Sequence, residues 1–208
     1  MTHADARIGA VLLAAGSASR FGAPKQVLAI DGVPMVRRAA IAALNAGLSP
    51  VVVVTGAHGD VVAESLAGLD VHVIAHADWA SGMGSSLAAG IKAFDRQVPS
   101  SQAVMVLLAD QPSIGAEDLK RMLEAHALVP ERILAARYDG HLGPPCLFPR
   151  TYFSDLAALD GPSGARRLLE KYAARVDAHD LQAAAFDIDT PADHASWQAG
   201  RHHDPSDR

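Results

Sequence analysis

The chain has a single cysteine in 208 residues, Cys146, so no internal disulfide can staple it, and a reducing, cytoplasmic setting is expected. It has no apolar run long enough to span a bilayer, and no membrane partner is expected. Its first residues, Met1-Thr2-His3-Ala4-Asp5-Ala6-Arg7, lack a basic stretch ahead of a separate apolar segment, so they do not read as a secretory signal. It also has no surplus of positive charge. With a net charge of -5 it offers no basic field for nucleic acid. No Ser-His-Asp or Cys-His constellation is visible, which argues against a hydrolase. Two familiar phosphate loops are missing as well. A P-loop needs Lys directly after its second Gly and then Ser or Thr, whereas Ala23 and Pro24 separate Gly22 from Lys25 and Gln26 follows. The dinucleotide fingerprint needs a Gly where Ala18 stands.

What is present is a globular composition, 50% apolar and 20% charged, in a chain long enough to bury a full core. Apolar runs alternate with amphipathic stretches, the pattern of a mostly parallel sheet covered by helices on both faces. The spacing predicts a strand through Ile8 and Val11. A helix follows from Pro34 to a stop at Gly47, with Val36, Ala40, Ala43 and Leu44 as its inward stripe. The β-branched run 51–55 is a second strand, followed by a short helix over 60–66 and a strand over 71–74. Further on come helices over 87–94 and 116–128, and strands over 103–108 and 133–136. A Gly- and Pro-rich loop from Tyr138 runs into a short strand ending at Phe148, and a helix opens after Gly161-Pro162-Ser163-Gly164-Ala165. Near the end, Phe186-Asp187-Ile188-Asp189-Thr190-Pro191 reads as a strand end before a closing helix. Its two acids face opposite ways, so only one can enter a site. The polar end, 199–208, reads as a disordered tail.

Chemistry gathers in a few places. After the first strand the chain enters Ala15-Gly16-Ser17-Ala18-Ser19, small residues that let the backbone approach an anion closely, and then carries the cations Arg20 and Lys25. The loop 76–86 concentrates glycines and hydroxyls at a helix start, which suits either ligand recognition or plain capping by Ser85 or Ser86. Asp110 follows the most apolar strand, where open α/β sheets bind ligands; it is a metal-ligand candidate or else a turn former. His141 could touch an acceptor phosphate or be a solvated loop histidine. Cys146 reads as a small buried residue, with no base at a spacing that would activate it.

Together these segments resemble the MobA-like nucleotidyltransferases. The family loop Leu-Ala-(Ala/Gly)-Gly-x-x-x-Arg-(Phe/Met)-Gly-x-x-Lys is met by Leu13-Ala14-Ala15-Gly16, Arg20-Phe21-Gly22 and Lys25. Its Gly-Met-x-x-Ser-Leu is met by Gly82-Met83 and Ser86-Leu87, and its Asp-x-Pro by Asp110 and Pro112. Its Gly-x-x-Gly-x-Pro-x-x-Phe is met by Gly140, Gly143, Pro145 and Phe148. Gly161, Gly164, Ala165 and Arg166 resemble the cytidylyl members in particular.

The resemblance implies a Rossmann-like three-layer fold in one domain over 1–198, with a nucleotide-binding part over about 7–136 and an acceptor-binding part over about 137–198. It implies a nucleotide site of Leu13, Ala14, Ala15, Gly16, Ser17, Arg20, Lys25, Thr55, Gly82, Ser86 and Asp110. Gly143, Pro144, Pro145 and Arg166 would then hold the acceptor, Asp110 and Asp189 would hold Mg²⁺, and Arg20, Lys25 and Asp110 would be catalytic. The implied reaction joins CTP to molybdopterin with release of pyrophosphate, and transient contact with a molybdenum-dependent apo-enzyme or its accessory protein would follow. Ala15, where the guanylyl branch usually has Gly, is what favours CTP. A guanylyl enzyme, another phosphorylated acceptor such as a sugar phosphate, and a non-catalytic cofactor carrier stay open as alternatives.

Overall fold

The computed structural model describes residues 8–16 and 24–200, the last two for backbone only; Ser17, Arg20 and the end of the predicted tail from 201 lie outside the described residues. The first described element is β1 (Ile8–Ala14), an inner strand of the sheet. A single 3-10 turn, Lys25–Val27, then leads into a small hairpin of β2 (Ala29–Ile30) and β3 (Val33–Pro34). Asp31 and Gly32 close that hairpin with φ of 52° and 80°, the twist an Asp-Gly pair supplies most readily. The predicted first helix is α1 (Met35–Asn45), with Pro34 at its N-cap, and Gly47 takes φ 87° just beyond its end, as a C-terminal glycine should.

Next come β4 (Val51–Thr55), α2 (Gly59–Ser65), β5 (His72–Ala75), α3 (Met83–Gln97), β6 (Ala103–Leu108) and α4 (Ala116–Leu128). The second half holds β7 (Ile133–Tyr138), β8 (His141–Pro149), α5 (Phe153–Ala157), α6 (Arg166–Lys171), β9 (Val176–Asp180) and α7 (Pro191–Gly200). The strands form one seven-stranded sheet in the order β5-β4-β1-β6-β8-β7-β9. All neighbours are parallel except β8, which is antiparallel to both β6 and β7.

Alternation along the strands supplies two cores. Ala10, Leu12 and Ala14 of β1, with Val51, Val53, Met105 and Leu107, face α1, α2 and α4. Val11 and Leu13, with Val52, Val54, Val104 and Val106, face α3, α5 and α6. The nearly continuous apolar runs predicted for the central strands are therefore what a sheet buried on both faces requires. The mostly parallel sheet with helices on both faces is the architecture expected.

Three local expectations are corrected. Helix α3 begins four residues before Leu87, at Met83, because Gly82 adopts φ 118° and lets the turn close there; neither Ser85 nor Ser86 caps it. The strand after Tyr138 is long and lies inside the main sheet, with Pro144 and Pro145 in a register shift opposite Ala135 and Ala136, where a residue without N–H is tolerated. Residues 186–190 are not a strand. A strand does form earlier, at β9, whose polar sequence Val-Asp-Ala-His-Asp hid it because it is an edge strand.

Candidate functional site

Leaving β1, the chain builds the sheet outward through β4 and β5, then returns to β6 on the other side of β1. Such a reversal leaves a crevice above the carboxyl ends of the two central strands. A cavity of about 660 Å³ lies there. Leu13, Ala14, Ala15 and Gly16 line it from the end of β1, and Leu108, Ala109 and Asp110 from the end of β6. Lys25 and Gln26 come from the 3-10 turn, Trp79, Ala80, Gly82, Met83 and Ser86 from the entry to α3, and Pro162, Asp187 and Asp189 from the later segments.

The charged end of the cavity is built around one ammonium. Lys25 Nζ donates to Asp110 Oδ2 at 2.7 Å and to Asp189 Oδ1 at 2.5 Å, bringing together groups 85 and 164 residues apart. Burial draws the Lys25 pKa down, but the two carboxylates outweigh it and hold the ammonium above its ordinary value. Asp110 Oδ1 is buried without a hydrogen-bond partner among the described residues. Beside them Asp187 is pushed up to about 6, first by burial and then by the charges of Asp110 and Asp189, with Lys25 and Gln111 opposing. With Asp187 near the Asp110–Lys25–Asp189 cluster, acids outnumber cations here, although no three acidic or histidine side chains among the described residues converge as a ready-made metal cage.

Local structure holds these groups in place. Ile188 N donates to the Asp110 carbonyl at 3.0 Å and pins the later segment to the end of β6. The Asp193 carboxylate accepts from the Thr190 N–H at 2.7 Å and from Asp189 N–H at 3.0 Å, while Asp193 N–H donates to Thr190 Oγ1 at 3.2 Å. Together with Pro191 as the first residue of α7, this is a reciprocal capping arrangement. It fixes Asp189 at the lip of the cavity. On the opposite side Gln26 Nε2 donates to the Gly16 carbonyl at 2.6 Å and ties the 3-10 turn to the end of β1.

Of the residues singled out from sequence, Leu13, Ala14, Ala15, Gly16, Lys25, Gly82, Ser86, Asp110 and Asp189 meet around this cavity. Ser17 and Arg20 lie outside the described residues. Thr55 is buried beneath the site, and its hydroxyl donates to the Ile74 carbonyl at 3.2 Å, so it does not line the cavity. Gly143, Pro144 and Pro145 lie behind it on β8; Gly143 packs against the Tyr138 ring, and the Pro144 carbonyl accepts from Gln111 Nε2 at 3.2 Å. Arg166 is exposed and paired with Glu170 at 2.9 Å, outside the cavity wall. Cys146 is fully buried, and burial alone pushes its thiol well above the ordinary range.

The expectation that only one of Asp187 and Asp189 could enter the site is overturned: both line the cavity. Strict alternation belongs to a strand, and this segment makes no ladder, so its side chains are free to converge. Asp187, Trp79 and Gln26 were thus missed. Trp79 had a readable signal, a lone aromatic among the small residues of the 76–86 loop.

An α/β scaffold whose cation and carboxylates meet at the switch point belongs to the class of α/β proteins that bind ligands above their strand ends. The chain belongs to the MobA-like NTP transferase family, whose domain matches residues 10–176. The nicotine blue oxidoreductase of Paenarthrobacter nicotinovorans is 32% identical over 191 residues, 86% of this chain and 91% of that one. Among solved structures, the Rv0371c protein of Mycobacterium tuberculosis superposes with a TM-score of 0.78 at 28% identity, covering 95% of this chain and 98% of the other. The same protein has also been solved in complex with manganese, with a TM-score of 0.77 at 26% identity over 92% and 97% of the two chains. A Methanothermobacter nucleotidyl transferase shares the fold, with a TM-score of 0.77 at 21% identity over 93% and 97%.

Proposed function

We propose that this member of the nucleotidyltransferase family transfers a cytidylyl group from CTP to molybdopterin, with Mg²⁺ held by Asp110 and Asp189. The observation that carries the reading is the single ammonium of Lys25 shared by those two carboxylates at the switch point. A divalent ion bound together with a substrate phosphate needs only one or two protein carboxylates. The buried, unpartnered Asp110 Oδ1 and the excess of carboxylates fit such an ion, and the manganese complex of the M. tuberculosis relative supports it. Held there, such an ion would neutralise charge on the reacting phosphates.

The chain's own residues have a defined task. A phosphate monoester has a second pKa of about 6, so the acceptor is already mostly dianionic near neutral pH and needs no general base. Lys25, which in this structure bridges Asp110 and Asp189, would turn from them and, with Arg20, hold the charge that grows on the leaving pyrophosphate. Ala15, Gly16 and the Gly82–Ser86 segment, which line the cavity, orient the nucleotide for in-line attack. This reading assigns Gly143, Pro144, Pro145 and Arg166, which do not line the cavity, to the acceptor side beyond it, and Ala15, on the cavity wall, would narrow the space a purine needs.

Pyrophosphate release with Mg²⁺, molybdopterin and each of CTP, GTP, ATP and UTP tests the reading. CTP-selective release is the expected result. Release with GTP alone would reassign the nucleotide, and release that needs a sugar phosphate would reassign the acceptor. The likeness to nicotine blue oxidoreductase favours one rival, a redox reaction in the same cavity. Pyrophosphate separates the two, since no electron transfer releases it.

A further inference from the structure

The cavity is chemically divided. Lys25, Asp110, Asp187 and Asp189 make one end polar, while Ala15, Trp79, Ala80 and Met83 make another wall largely apolar. A nucleotide has the same division, with a polyanion at one end and a flat, stackable base at the other. Trp79 is the one aromatic ring on the cavity wall among the described residues. We infer that Trp79 is the platform on which the nucleobase stacks, an inference that rests on the nucleotidyl-transfer reading and extends it to recognition of the base.

The indole is held for that role. It packs on the sheet core facing α3, is only partly buried and lines the cavity. Its backbone is fixed at both ends: Trp79 N–H donates to the His76 carbonyl at 3.3 Å, and the Trp79 carbonyl accepts from Gly82 N–H at 3.0 Å. Gly56, at the end of β4, closes the seat from behind. A Cβ there would lie 2.7 Å from Trp79 Cγ and 2.4 Å from the Ala15 carbonyl oxygen, so the absence of a side chain at 56 lets the indole and the β1 loop meet. A ring fixed in this way gives a base a flat surface with little ordering left to occur on binding.

The chain has only two tryptophans, and the other, Trp197, packs on Phe186 with ring centroids 5.5 Å apart and does not line the cavity. In a Trp197→Phe background the emission therefore belongs to Trp79 alone. CTP with Mg²⁺ should quench and shift that emission, whereas inorganic tripolyphosphate with Mg²⁺, which has no base, should leave it within a few per cent. By calorimetry Trp79→Leu should weaken CTP about tenfold, within the range of one base–aromatic stack, and leave tripolyphosphate within twofold. Trp79→Phe should restore most of the CTP affinity. Equal responses to CTP and tripolyphosphate, or full CTP affinity in Trp79→Leu, would overturn the stacking role while leaving nucleotidyl transfer standing. Failure of CTP to bind the unmodified protein at all would overturn both.

Discussion

At the scale of single residues, the site depends on a few charges that cannot be exchanged. Asp110 sits at the end of a rigid central strand and contributes one oxygen to Lys25 and one to no partner among the described residues. Asp110→Ala should lower nucleotidyl transfer by about a hundredfold or more, on the scale of losing one preorganised charge at a reacting phosphate, while the melting curve stays cooperative. Pyrophosphate release and circular dichroism check the two halves of that statement. Ala15 is a subtler case. It is 7% exposed and lies between the β1 end and the Gly56–Trp79 seat. Ala15→Gly should shift the ratio of kcat/KM for CTP over GTP toward GTP by about tenfold, since one methyl is worth about 1–3 kcal/mol in such a pocket. Unchanged ratios would move the choice of base to other residues.

Elements set where those residues stand. Helix α3 approaches the 160–162 loop so closely that Gly84 N–H donates to the Gly161 carbonyl at 2.8 Å, and the contact brings Pro162 to the cavity wall. A methyl at position 84 would lie 2.4 Å from the Asp160 carbonyl oxygen, a backbone atom that cannot rotate away. Gly84→Ala should therefore cost about 1–3 kcal/mol through overpacking and lower the melting temperature by several degrees. It should also weaken CTP binding, which a thermal melt with and without CTP would register as a reduced ligand-induced shift. The start of α7 works in the opposite sense, as a clamp. Thr190, Pro191 and Asp193 could be read from sequence as helix-start chemistry, but the consequence for Asp189 could not, because the partner that defines its position is Lys25.

For the molecule as a whole, the buried titratable group away from the site that bears on acid stability is a histidine. His126 of α4 is 3% exposed, and its Nδ1 has no hydrogen-bond partner among the described residues. Burial lowers its pKa from 6.5, with Glu131 opposing. The folded state thus resists a proton that the unfolded chain accepts. Stability is at its full value above about pH 6.5 and falls as the pH drops from there toward the folded-state pKa, at no more than about 1.4 kcal/mol per unit for one proton. His126→Leu should flatten that stretch of the urea-midpoint profile between pH 7 and 5, and an unchanged slope would assign the acid sensitivity elsewhere. The two-faced sheet, the order of its early elements and the positions of Lys25 and Asp110 were legible in the sequence, because a strand buried on both faces and a small-residue loop with cations each have a local signature. Convergence was not legible. Asp187 joins Asp189 because residues 186–190 lie over the end of β6 instead of pairing in a ladder, β9 is an edge strand whose polar sequence conceals it, and Trp79 becomes a wall of the site because Gly56 leaves it room. Local patterns encode which face of an element is apolar, whereas distances between groups 85 or 164 residues apart are decided only when the two cores pack and the chain reverses about β1.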